Sequence, residues 1–74
     1  MQTTRFRVWL RPLVRKRDLT PGVWAGVRLV QPPTPYGDDA VDVIVEDNGS
    51  DLRLLVRERL EVFAGLMELR PGDQ

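Results

Sequence analysis

The sequence predicts a small, mainly β domain: a five-stranded barrel carrying one short helical turn. Three observations predict it. Residues 41–56, VDVIVEDNGSDLRLLV, hold two alternating runs on either side of Asn48 and Gly49. Asn-Gly is the preferred pair for a two-residue type I′ hairpin turn, because both positions need φ > 0. Residues 5–11, RFRVWLR, alternate apolar and polar in the manner of a half-buried strand. Residues 23–30, VWAGVRLV, alternate again around Gly26, and a mid-strand glycine suits the bend that a small barrel requires.

The first strand puts Phe6, Val8 and Leu10 on one face and Arg5, Arg7, Trp9 and Arg11 on the other. Pro12 limits its continuation, since proline cannot donate to a ladder. Residues 13–19 read as a basic loop, and Pro21-Gly22 as a turn. In the second strand Val23, Ala25, Val27 and Leu29 lie together, opposite Trp24, Gly26, Arg28 and Val30. Residues 31–39, QPPTPYGDD, form a loop with polyproline character.

In the hairpin, Val45 faces Leu52, Val43 faces Leu54 and Val41 faces Val56. These are the expected core positions, and Asp42, Ile44, Glu46, Asp51, Arg53 and Leu55 lie opposite. The next stretch, RERLEVFAGLMEL, reads as one helical turn near Arg57–Arg59 followed by a strand at 60–64. Val56, Leu60, Phe63 and Met67 also fall at helical spacing, which predicts instead an α+β fold with a C-terminal helix near 52–67. Residues 1–74 are expected to form a single domain, with 70–74 a frayed tail.

This order of elements resembles the small Src-homology-like barrels, the group that includes Tudor and KOW-type modules. Gly22–Val30, the Asn48–Gly49 hairpin and the run from Arg57 to Phe63 carry the resemblance, over about residues 20–64. It implies a closed barrel and no particular activity, since such barrels host many unrelated functions.

Composition narrows the chemistry. There is no cysteine and no histidine, so disulfides, the usual zinc sites and the commonest nucleophile–base pairs are excluded. The expectation is a protein that is not an enzyme and needs no cofactor. Asp38, Asp39 and Asp42 are close in sequence, but carboxylates beside a Pro/Gly loop read as solvated turn residues. The N-terminal stretch has arginines among its apolar residues, unlike a signal peptide, and no run is long enough to span a bilayer. A cytoplasmic location is expected, with no membrane contact and no small-molecule substrate.

Formal net charge is zero, yet unevenly placed. Residues 1–28 carry seven basic side chains against Asp18, while residues 29–74 carry four basic against ten acidic. Nucleic-acid binding would use the strand and loop that hold Arg5, Arg7, Trp9, Arg11, Arg15, Lys16 and Arg17, with arginines on phosphates and the indole on a base. The pI near 6.2 weighs against it. Protein recognition, by a partner or by a second copy, would use the apolar side chains expected on the non-core faces, Trp9, Trp24, Ile44 and Leu55, with Tyr36 in a loop bordering the same surface. Pro32 and Pro35 add a minimal polyproline-ligand spacing. Protein recognition is the favoured reading and nucleic acid the alternative.

Overall fold

In a computed structural model that describes residues 2–72, the chain is an α+β domain with a four-stranded antiparallel sheet and one short helix. The strands are β1 (Thr3–Leu10), β2 (Thr34–Tyr36), β3 (Ala40–Glu46) and β4 (Phe63–Leu69), in the spatial order β2-β3-β1-β4. The helix α1 spans Ser50–Glu58, and a short 3₁₀ turn covers Lys16–Asp18. The sheet is open, ending at β2 on one side and β4 on the other, so the expected barrel is replaced.

The alternation read in 5–11 holds. Phe6, Val8 and Leu10 are buried in one core with Val41, Val43, Val45, Leu52, Leu55, Val56 and Phe63. The hairpin does not form, and the reason lies in the edges of β3. One edge pairs along its whole length with β1, from Thr3 opposite Glu46 to Trp9 opposite Ala40. The other is shared between β2 and the segment around Leu29, where the Val30 amide donates to the Ile44 carbonyl and the Glu46 amide to the Arg28 carbonyl. No edge remains for residues 52–56.

The chain therefore turns at Asp47-Asn48-Gly49 into a helix. Gly49 keeps the positive φ expected of it, 81°, and the Asn48 Oδ1 accepts a hydrogen bond from the Ser50 amide at 3.0 Å. A Cβ on Gly49 would sit 2.5 Å from the Phe6 ring, so the position demands glycine for space as well as conformation. From there Leu52, Leu55 and Val56 recur at helical spacing and face the core, while Leu54 is 52% exposed. This corrects the expected placement of Leu54 inside and Leu55 outside. Since β3 and β4 both run antiparallel to β1, they are parallel to each other. Such a pair needs a crossover, and α1 supplies it, with β1 lying between the two strands it joins.

The predicted strand at 23–30 is also replaced. Residues 21–26 are turns, and only Leu29 makes a bridge, opposite Val45. Without a strand's two faces, Trp24 folds inward and is 3% exposed, its ring 5.2 Å from that of Phe63. The final strand runs later and longer than expected, over Phe63–Leu69 instead of 60–64. Two of the stretches behind the barrel resemblance thus form other elements. Of the expected frayed tail, Asp73 and Gln74 lie outside the described residues.

Candidate interaction face

The helix and the turns at 21–26 pack on one face of the sheet with the core. On the other, the open face, Arg7, Ala40 and Leu69 are buried while Tyr36 and Met67 are exposed. Strand register assigns the residues of that open face. β1 contributes Thr3, Arg5, Arg7 and Trp9, and β3 contributes Ala40, Asp42, Ile44 and Glu46. β2 adds Thr34 and Tyr36, and β4 adds Gly65, Met67 and Leu69. Side chains alternate across a strand, so the core positions of Phe6, Val8 and Leu10 in β1 and of Val41, Val43 and Val45 in β3 fix this set.

Arg7 stands at the centre and is only 7% exposed. Its Nε donates to Asp42 Oδ1 at 2.8 Å and its Nη2 to Oδ2 at 3.2 Å, a bidentate pair between directly opposed residues. The guanidinium also stacks on Tyr36, 3.4 Å from the ring centroid. The hydrogen bonds to Asp42 raise the Arg7 pKa above its usual value, so the group is charged at every ordinary pH. Two arginines on this face, Arg5 and Arg7, are balanced by Asp42 and Glu46. Around the pair lie half-buried Trp9 and Ile44 and exposed Tyr36 and Met67.

Three of the five residues expected at a protein interface therefore meet on one surface: Trp9, Tyr36 and Ile44. Trp24 and Leu55 do not, because both are packed into the chain's own core. Met67 belongs to the face and was missed, since its stretch reads equally as helix. The signal available was the alternation of Gly65, Met67 and Leu69 against Leu66 and Glu68.

The basic set does not assemble into one patch. Arg7 is committed to Asp42. Arg11 donates through Nε to the Leu60 carbonyl at 2.8 Å, fastening the turn ahead of β4. Lys16 donates to the Gly37 carbonyl, which places the basic loop beside the Leu10 end of β1. Arg5 sits nearer the opposite end, across from Ile44 and Leu69. Asp38 and Asp39 are exposed in the turn before β3, apart from Asp42's pairing with Arg7.

A separate apolar hollow of about 520 Å³ lies between the turns and the proline-rich segment, lined by Leu19, Trp24, Val27, Leu29 and Pro32 among others. The Trp24 Nε1 is buried without a hydrogen-bond partner among the described residues. No helix of the described chain is long and apolar enough to cross a membrane. Compared with family models, with curated proteins and with solved structures, the chain matches none.

Proposed function

We propose that this domain is a non-catalytic binding module that receives a protein partner on the open face of its sheet. The observation that supports the reading is the neutralised centre of that face. Arg7 and Asp42 cancel one another under Tyr36, leaving Trp9, Tyr36, Ile44 and Met67 as the exposed or half-exposed apolar surface around them. Aromatic side chains and arginine with little net charge are the composition of an interface centre, where charged residues are depleted. A nucleic-acid surface needs uncancelled positive charge to release counterions.

The alternative, nucleic-acid binding through strand 5–11 and loop 15–17, is favoured by exposed Arg5 on the same face as Trp9. One experiment separates the two. A photo-crosslinking residue is placed at position 67, with position 13 as a control on a remote, fully exposed leucine. The proposal expects a discrete protein adduct at 67, absent at 13 and lost when Trp9 is changed to Asp. A nucleic-acid adduct at 67 that weakens steeply with salt would install the alternative, and identical adducts at 67 and 13 would remove both.

A further inference from the structure

β4 is an edge strand with an unpaired side, and what it displays there is complementary to itself. The strand is seven residues long, contains no proline, and carries Glu68 as its one charge. Met67 is 44% exposed on the open face. Two residues away on the same face is Gly65, where nothing lies within 4 Å of the place a Cβ would occupy. A projecting side chain and a vacant position two residues apart on one strand are the arrangement that antiparallel pairing with an identical strand brings together.

We infer that β4 pairs with β4 of a second copy of this chain, antiparallel about a two-fold axis through Leu66. In that register Leu66 faces its own counterpart on the helix side. Each Met67 lies over the other copy's Gly65, and beyond Gly65 lies Trp9 of β1, its ladder neighbour. Thioether and indole make a favourable contact. Moving the axis to Met67 sets each Leu66 against the other copy's Glu68. Moving it to Glu68 sets the two carboxylates directly opposite, which is unfavourable. The product is one continuous sheet that joins both copies, with both helices on one side and both open faces on the other. The inference rests on the edge and shares Trp9, Gly65 and Met67 with the open face, so a second copy identified in the adduct at position 67 would support it and not the partner reading.

The test is sedimentation equilibrium on the full chain, from low micromolar concentration to about 1 mM. The wild type is expected to form a concentration-dependent dimer. Met67→Lys removes the projecting group and Gly65→Glu fills the vacant place. Each should weaken dimerisation by roughly tenfold or more while circular dichroism shows an unchanged fold. The double variant sets the introduced lysine of one copy opposite the introduced glutamate of the other, and should recover most of the loss. Amide exchange should show β4 protection that falls on dilution, in a folded chain. A wild type that stays monomeric throughout the range overturns the inference. So does a dimer indifferent to both single variants, or one that the double variant fails to recover.

Discussion

At one side of the sheet, β3 is bordered by two short pieces, the bridge at Leu29 and the three residues of β2. Pro32 and Pro33 lie between them and Pro35 within β2, opposite Val41. At the other side, β4 offers seven residues without a proline. Proline and brevity are standard defences of a strand edge, because they break the row of donors and acceptors that another strand would read. One border is defended along its length, the other only by Glu68 and by the register shift near Ala64. The sheet thus has a direction in which it can be extended, and this direction lies away from the proline-rich segment.

That asymmetry depends on α1 carrying the chain across β1 to place β4 at the far edge. The largest expected effect comes from the point where the crossover begins. Gly49→Ala combines a strained positive φ with a clash against the Phe6 ring, and should cost about 2–5 kcal/mol in a chemical-denaturation experiment. A loss under about 0.5 kcal/mol would mean that the helix does not start against Phe6.

Leu52 and Leu54 probe the same crossover one turn further on. A hairpin puts them on one face and the helix puts them on different ones. Leu52→Ala should cost about 2–5 kcal/mol, and Leu54→Ala less than about 1 kcal/mol. Equal losses would return the hairpin and abolish β4 as the receptive edge. The smallest effect is expected at the defended border. Pro35→Thr should change monomer stability by less than about 0.5 kcal/mol, while light scattering detects species larger than a dimer. If Pro35→Thr leaves the size distribution untouched, proline is not what closes that side.

Alternation in RFRVWLR and VDVIVE was enough to read β1 and β3 and their inward faces, because on each strand one parity is wholly apolar and packs into the core. Of the two positions expected at positive φ, Gly49 adopts it and Asn48 does not, Asp47 (φ 98°) taking that conformation instead, and the signal was misleading about the element that comes next. A positive φ at glycine serves a helix entrance as well as a hairpin. The deciding fact was long-range. Both edges of β3 were already taken, by a strand from the start of the chain and by segments on its other flank. Local periodicity contains no information about that competition. Residues 23–30 failed for a similar reason, since alternation over VWAGVRLV says nothing about whether a ladder partner exists. On the site, Trp9 and Ile44 were legible from parity alone, whereas Tyr36 was read in a loop and lies instead in the short strand β2. The pairing of Arg7 with Asp42 required knowing which strands are neighbours, and it turned an apparent phosphate contact into a neutral centre.

The central place of β1 has a consequence for how the molecule is made. This strand is synthesised before either of its neighbours, and its register partners include Glu46 on one side and Leu69 on the other. During synthesis it has two open borders until β3 has emerged and one until β4 has. Charge and proline disfavour pairing at an open strand edge, and Arg5, Arg7, Arg11 and Pro12 put both on this strand during that interval. The same arginines that look like a ligand-binding stripe in the finished sequence are thus also charges on a strand whose two partners are both made after it.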